Sequence, residues 1–188
     1  FGPGRRFYVS LLRWLTQFAV EDRKTAYRIL RNHVVYIGQQ EMMHLVSLAG
    51  TKIAVAMRQH VAHLLGIPVY QVDERVDAQH RLQLLRARTL YVGVSDGARI
   101  DSFRRFNEGE ISNEQVVAMA EISDNKWESL HSKLAKRLEK LAKSQGKPAY
   151  LQCDATFEWV CLIDDFTGSG FSSIRWDREA SAWDGKVG

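Results

Sequence analysis

The residues best suited to chemistry lie in one short stretch near the carboxyl end of the chain. Four apolar residues, Val160 to Ile163, lead into the adjacent acids Asp164 and Asp165, and a loop of small and hydroxyl residues with two glycines follows. Carboxylates accept hydrogen bonds from hydroxyl groups and bind divalent cations. Glycine lets backbone amides approach an anion closely. The stretch therefore predicts a site for a molecule that carries both hydroxyls and phosphate, such as a sugar phosphate.

A β-strand must position these residues. An uninterrupted apolar run before turn residues is typical of a strand buried on both faces, as in a parallel sheet. Asp164 and Asp165 would then stand at the carboxyl end of that strand, where open α/β sheets bind their ligands. A helix that begins after the glycine loop would add backbone amides at its N-terminus, which form an anion site.

The same segment resembles the phosphoribosyl-diphosphate (PRPP) fingerprint of type I phosphoribosyltransferases. That fingerprint is an apolar strand, two acidic residues and a loop that ends roughly in Thr-Gly-x-Thr. Asp164 and Asp165 match the acidic pair, Ser169-Gly170 match the Thr-Gly, and Ser172 matches the final Thr. The resemblance implies an α/β fold with a parallel sheet of the phosphoribosyltransferase type.

The resemblance also implies roles for particular residues and a cofactor. Asp164 and Asp165 would be the catalytic acids that hold the ribose hydroxyls, and they would meet a Mg²⁺ ion, bound with PRPP, only through those hydroxyls. The expected PRPP- and phosphate-binding loop consists of Phe166, Thr167, Gly168, Ser169, Gly170, Phe171 and Ser172. Purine-salvage members often carry an Asp where this chain has Gly168, which argues against transfer to hypoxanthine or guanine.

A second strand-to-loop transition lies upstream. Thr89 to Val94 reads as a buried strand, and Ser95, Asp96, Gly97, Ala98 and Arg99 follow it. The resemblance makes these five residues the pyrophosphate loop, in which backbone amides near Gly97 and the Arg99 guanidinium meet the diphosphate. Arg104 and Arg105 are expected to assist.

The remaining sequence predicts a helical region at residues 1–84, and the resemblance implies a phosphoribosyltransferase-like α/β domain at residues 85–188 that ends before the further strand carried by complete members of this class. Apolar spacing of three and four residues predicts helices from residue 5 to 65, with a break at Gly50-Thr51. Further expected elements are a short strand at Val69 to Val72, a helix at Arg81 to Arg88, a helix start at Ser112, and strands at Tyr150 to Cys153 and Phe157 to Ile163.

The segment 126–147 carries seven Lys and Arg residues against two Glu. It has an apolar stripe that consists of Trp127, Leu130, Leu134, Leu138 and Leu141. The stripe predicts an amphipathic helix packed on the sheet, with a solvated basic face. The alternative is that this basic face docks nucleic acid or an acidic partner.

The composition of the chain limits the classes of protein to which it can belong. The chain has 188 residues, 45% of them hydrophobic and 26% charged, with a net charge of +4, all values of ordinary globular proteins. Two cysteines, Cys153 and Cys161, and the lack of a signal-peptide pattern favour a cytoplasmic location, and no apolar run predicts a membrane span. His60 and His63 lie three residues apart without a third ligand, so solvated or capping roles are expected rather than metal binding.

The string from Leu90 to Asn107, together with Ile163 to Gly170, is similar to a divergent branch of phosphoribosyltransferase-like domains. These domains are encoded in bacterial conflict and phage-defence gene clusters. The similarity implies an effector role in antiviral defence, with a protein or nucleic-acid partner. A non-catalytic subunit that senses PRPP or a nucleotide, or that binds a partner, is the main alternative.

Two other chemistries use the same residues. Gly93 to Gly97 matches the Gly-x-Ser-x-Gly nucleophile elbow, which would make Ser95 a serine-hydrolase nucleophile with His131 as the downstream base. Val160 to Asp165 also fits a Walker B strand. That interpretation requires a phosphate-binding loop upstream, and the nearest candidate, Gly50-Thr51-Lys52, lacks the required spacing.

Overall fold

A computed structural model describes residues 2–118, 123–146, 155–167 and 175–184. The helices are α1 (Gly2–Leu15), α2 (Arg23–His33), α3 (Gln39–Leu65), α4 (Val76–Ala87), α5 (Ile100–Phe106) and α6 (Asp124–Gln145). The strands are β1 (Thr89–Gly93), β2 (Val116–Val117), β3 (Trp159–Ile163), β4 (Arg175–Asp177) and β5 (Ala182–Asp184). The fold is mixed α/β, mostly helical, with a small parallel sheet.

The chain divides into two compact units, one that ends at Gln39 and one that starts at Gln40. This division differs from the sequence-based boundary at residues 84 and 85. The first unit contains α1 and α2. Its aromatic side chains contact one another, with Trp14 and Phe18 edge to face at a centroid separation of 4.9 Å.

The second unit is organised around a three-stranded sheet in the order β2-β1-β3, with both pairs parallel. Tyr91 in the central strand pairs in register with Val116 on one side and Cys161 on the other. All five residues of β1 are buried, as its apolar sequence predicts. The predicted strand at Thr89 to Val94 is therefore confirmed.

Strand β3 departs from its prediction. A strand buried on both faces was expected, but the side chains alternate, and Val160 and Leu162 are 49% and 41% exposed. In the described part of the chain β3 pairs only with β1, so it is an edge strand with one solvated face. The expectation of burial on both faces was wrong because an apolar run does not reveal how many neighbours a strand has.

Helix α3 lies, except for its first residue, in the second compact unit, which also contains the sheet. Its residues Met57 and Val61 form one buried cluster with Leu82 and Leu85 of α4, and Trp159 of β3 packs against that cluster. Burial of this kind stabilises by about 25 cal/mol per Å² of apolar surface. The N-terminal end of β3 is therefore held by the helices that precede β1 in the chain.

The expected helix break at Gly50-Thr51 was wrong, because α3 continues through it from Gln39 to Leu65. A Cβ atom at position 50 would lie 1.8 Å from Oδ1 of Asn107. Gly50 therefore permits a close approach of the segment that follows α5, at the usual cost of glycine in a helix, about 1 kcal/mol relative to alanine.

Two other local predictions were wrong, and one was confirmed. Val69–Val72, expected as a strand, is a 3₁₀ turn after Pro68. Ser112 begins a 3₁₀ turn, Asn113–Gln115, through a reciprocal capping box with Gln115, and the chain then enters β2 instead of a longer helix. The helix expected near Arg81 to Arg88 is α4.

Helix α6 forms as the apolar stripe predicts, and Leu130, Leu134 and Leu138 are buried. It ends at Gly146, whose φ of 61° is the left-handed cap conformation. Arg137 is not on the solvated face: it donates to the carbonyl of Ala87 and to Ser112 Oγ. Burial lowers the pKa of this guanidinium. The exposed basic surface is therefore smaller than the sequence suggests.

The remaining strands, β4 and β5, form an antiparallel pair in which Trp176 lies opposite Trp183. The expected strand at Tyr150 to Cys153 lies outside the described residues. Within the described ranges, none of the helices combines the length and the apolarity needed to cross a membrane.

Candidate functional site at the carboxyl edge of the sheet

Two loops meet at the carboxyl edge of the sheet because β1 and β3 are adjacent and parallel. The register pairs Gly93 with Ile163, and the amide of Val94 donates to the carbonyl of Ile163 at 2.9 Å. The strands therefore end together, and Ser95 and Asp164, which follow within two residues of the strand ends, lie side by side. Sequence reasoning assigned both loops to one ligand, and the strand order brings them to one edge.

The Ser95 hydroxyl connects the two loops. Ser95 Oγ donates to Asp164 Oδ1 at 2.5 Å and lies 3.5 Å from Asp165 Oδ1. The amide of Asp165 donates to the same Asp164 oxygen at 3.0 Å. Hydrogen bonds to an ionised carboxylate are the stronger kind. The Asp164 side chain, which is half-buried, is therefore held in one orientation, while Asp165 is exposed to solvent.

Gly97 lies directly against the Asp165 carboxylate. A Cβ atom built on Gly97 would stand 2.1 Å from Asp165 Oδ2, closer than any real contact. Glycine at this position lets the loop after β1 and the acid after β3 share the same space. The sequence assigned Gly97 to the diphosphate, and its proximity to Asp165 is a feature that only the structure reveals.

The loop after β1 ends in an unusual backbone conformation at Arg99. The 3₁₀ turn Asp96–Ala98 closes through the Ala98 amide, which donates to the Ser95 carbonyl at 3.1 Å. Arg99 then adopts φ 50° and ψ 38°, the left-handed region that costs a non-glycine residue about 1 kcal/mol or more. Its side chain is exposed. Such outliers concentrate at functional sites.

The other two arginines expected near the diphosphate differ in their surroundings. Arg104 donates to Asn113 Oδ1 at 2.6 Å and lies 4.0 Å from Asp101. It is therefore committed to contacts outside the loop at 95–99. Arg105 is exposed on α5.

The loop after β3 is described only as far as Thr167. Phe166 is 77% exposed, an unusual state for a large aromatic side chain, and Thr167 is exposed as well. The remaining predicted phosphate-binding residues lie outside the described residues: Gly168, Ser169, Gly170, Phe171 and Ser172. Their assignment stays a prediction.

The carboxylates of Asp164 and Asp165 suit a Mg²⁺ ion that arrives bound to a substrate. In the described ranges no group of three or more metal-binding side chains comes together. Mg²⁺ is commonly bound by one or two carboxylates with substrate phosphates and waters as its other ligands. Asp164 and Asp165 would supply such carboxylates, whereas the sequence-based expectation is that they meet the ion only through the ribose hydroxyls, and that expectation stays a prediction.

The contacts of the described residues do not form the site that a serine hydrolase would require. His131 Nδ1 lies 2.6 Å from the carbonyl of Ala155, and its ring packs with Trp127 and Phe157. The hydrogen-bond partners found for the Ser95 hydroxyl are carboxylates. A serine hydrolase needs an imidazole there.

The remaining two motifs lie in helix α3. Gly50-Thr51-Lys52, the nearest phosphate-binding loop for a Walker motif, is an interior turn of α3 rather than a loop. His60 packs on Trp159 with a centroid separation of 5.2 Å and lies 4.0 Å from Glu158. Its surroundings are those of a structural side chain.

No family model, no curated protein and no solved structure matches the chain. The functional argument therefore depends on the geometry of the two loops. Sequence reasoning found both loops but missed the Ser95–Asp164 hydrogen bond. The available signal was the occurrence of polar residues directly after two strands of one parallel sheet.

Proposed function

We propose that the carboxyl edge of the sheet binds a phosphorylated ribose, either PRPP or the 5′-phosphate part of a nucleotide. The observation that supports this proposal is the Ser95–Asp164 hydrogen bond, which joins the two loops that the sequence assigned to one ligand. A pair of carboxylates beside a glycine-containing loop offers acceptors for hydroxyls and amides for an anion.

The roles follow from exposure and hydrogen bonding. Asp165 is exposed and accepts the ribose hydroxyls, while Asp164, oriented by Ser95, accepts the neighbouring hydroxyl. The loop from Ser95 to Arg99 receives the diphosphate through its amides and the Arg99 guanidinium. The loop from Phe166 to Ser172 receives the 5′-phosphate.

In the present conformation the Asp165 carboxylate lies against Gly97. A diphosphate therefore reaches the amides near Gly97 only after this carboxylate turns toward the ribose. The negative charges of the Asp165 carboxylate and of the diphosphate also repel each other at short distance. The proposed site thus couples occupancy of the ribose position to opening of the diphosphate loop.

In a catalytic version of this function, the acceptor nucleophile forms a bond to ribose C1 while the bond between C1 and the diphosphate oxygen breaks. The electron pair leaves with the diphosphate. Mg²⁺, when bound with PRPP, neutralises charge on the leaving group. The chain's own contribution is to position the ribose and to place fixed dipoles where charge develops.

The biological role that the resemblance implies is an effector in bacterial antiviral defence. The alternative role is a sensor or partner-binding subunit that holds PRPP or a nucleotide without turnover. The exposed Phe166 beside the acids is available to stack on a base or on a partner in either role. Release of pyrophosphate with a nucleobase present separates a transferase from a sensor.

The test is calorimetry with PRPP and Mg²⁺ on the variant Asp164→Asn/Asp165→Asn. We expect binding to fall by about a hundredfold or more, because hydrogen bonds from hydroxyls to charged acceptors are lost. Gly97→Ala is the second variant. It keeps both charges but places a methyl group beside the amides that would receive the diphosphate, so it should also weaken binding.

The matched control is Asp101→Asn/Glu108→Gln, which changes the net charge by the same amount at exposed positions of α5 and the turn after it. It should bind PRPP as the unmodified chain does. PRPP affinity that is unchanged in the double Asn variant would exclude this site. Equal losses in that variant and in the control would show that only net charge matters.

A further inference from the structure

A cavity lies on the amino-terminal side of the sheet. It has a volume of about 280 Å³ and is bounded by α3, the end of α4, the middle of β1 and the turn before β2. Arg86 precedes β1 and Glu110 precedes β2, so these residues lie at the sheet edge opposite the one that carries Ser95 and Asp164. The sequence analysis predicted no function for the residues that line this cavity.

Tyr91 distinguishes this cavity from a gap left by imperfect packing, because its side chain brings a polar hydroxyl group to the cavity wall. It is 3% exposed and lines the cavity, and its ring packs on Phe103 at a centroid separation of 5.4 Å. No hydrogen bond to its hydroxyl is found among the described residues. Burial raises the pKa of Tyr91, so the hydroxyl stays a donor. The hydroxyl lines the cavity and can donate to an acceptor that enters it.

Two arginines at the cavity have partners that water can replace. Arg86 Nη1 lies 2.8 Å from Glu110, whose side chain is 65% exposed. Arg58 Nε lies 3.2 Å from Asp73, whose side chain is 61% exposed. Exposed ion pairs contribute little stability, and each guanidinium has five N–H donors. Both arginines therefore retain donors for another anion.

The rest of the wall is apolar. Ile53 and Met57 of α3 and Ile111 before β2 line the cavity, and Met57 is buried. The cavity thus combines an apolar wall, the Tyr91 hydroxyl and two guanidinium groups, of which Arg86 pairs with Glu110 and Arg58 with Asp73. Convergence of a few polar groups in an apolar cleft is typical of a small-molecule site.

We infer that this cavity binds a small organic anion in which one carboxylate is attached to a compact apolar body. The carboxylate accepts hydrogen bonds from the Tyr91 hydroxyl and the Arg86 guanidinium, and the apolar body packs on Ile53 and Met57. The inference is independent of the proposed ribose-phosphate function, since the two sites share no residue.

The test uses three probes of one shape and different charge: benzoate, benzamide and benzamidine. Each is titrated into the full chain labelled with ¹⁵N, and amide shifts report where it binds. We expect benzoate to shift the amides around Tyr91 and Ile111 and to bind at least about tenfold more tightly than benzamidine. The same titration in Asp164→Asn/Asp165→Asn should be unchanged.

The decisive variant is Tyr91→Phe, which keeps the ring and removes the donor. Benzoate affinity should fall by about tenfold, whereas Tyr70→Phe, a matched change at an exposed tyrosine, should have no effect. Arg86→Gln should also weaken benzoate binding. Equal binding of the three probes, or unchanged benzoate affinity in Tyr91→Phe, would overturn the inference.

Discussion

Strands β1 and β3 pair residue for residue over five positions, but their surroundings differ. Every residue of β1 is buried between α-helices, whereas alternate residues of β3 face solvent. The difference in position explains this contrast, because β1 has a strand on each side and β3 pairs only with β1 among the described residues. The central strand fixes the geometry of the candidate site, and the edge strand presents its acids to solvent.

The loops after the two strands differ in the same way. The loop after β1 closes on itself through the Ala98–Ser95 backbone hydrogen bond and enters α5 directly. The loop after β3 begins with the exposed residues Asp165, Phe166 and Thr167. The loop after β1 is thus held by its own backbone hydrogen bond, whereas the first residues of the loop after β3 are open to solvent.

The largest expected effect compares one leucine from each strand. Leu90 in β1 is fully buried, and Leu90→Ala should reduce the free energy of unfolding by about 2–5 kcal/mol. Leu162 in β3 is 41% exposed, and Leu162→Ala should cost less than about 1 kcal/mol. Urea unfolding followed by tryptophan fluorescence measures both. Equal losses would show that the solvated face of β3 is covered in solution.

The second prediction concerns the inward-facing thiol of β3. Burial raises the pKa of Cys161 to about 11. In a Cys153→Ser background at pH 8, iodoacetamide should therefore label Cys161 roughly a hundredfold more slowly than it labels an exposed thiol, and the rate should rise up to about pH 11.

The control for this experiment is the same labelling in urea, where the unfolded chain should react at the rate of a free thiol. Fast labelling under native conditions would mean that β3 separates from β1 readily. It would also contradict the description of β3 as a strand with one protected face.

The smallest effect is expected at the link between the two loops. Ser95→Ala removes the hydrogen bond to Asp164 and should lower stability by about 1 kcal/mol and PRPP affinity by about fivefold. Ser95→Thr keeps a hydroxyl and should restore part of the affinity. Ser47→Ala, at a partly exposed serine within α3, is the matched control. Unchanged PRPP affinity in Ser95→Ala would show that the loops act separately.

The elements predicted correctly were those with strong local patterns. Helix α6 shows its apolar stripe clearly, and β1 is an apolar run between a helix and a turn. The errors occurred where contacts with other parts of the chain decide the local structure. Gly50 is a contact surface for Asn107 inside a continuous helix, and Val69–Val72 is a 3₁₀ turn although its residues favour strands. Such features depend on residues distant in sequence.

The sequence predicted the residues of the candidate site but not the contacts between them. The acids and both loops follow from apolar runs that end in polar or glycine-containing segments. The Ser95–Asp164 bond and the approach of Asp165 to Gly97 depend on strand register and side-chain orientation. The cavity beside Tyr91 had no sequence signal, since a tyrosine in a buried strand usually indicates packing alone.

The sequence by itself determined where the chain places its paired carboxylates, its glycine-containing loops and its amphipathic helices, because these depend on residue type and local spacing. Only the tertiary structure decided which strand is central, which loops meet and which buried donor faces a cavity. The physical reason is that parallel strands are joined by long connections, so their order and neighbours are set by packing across the whole unit.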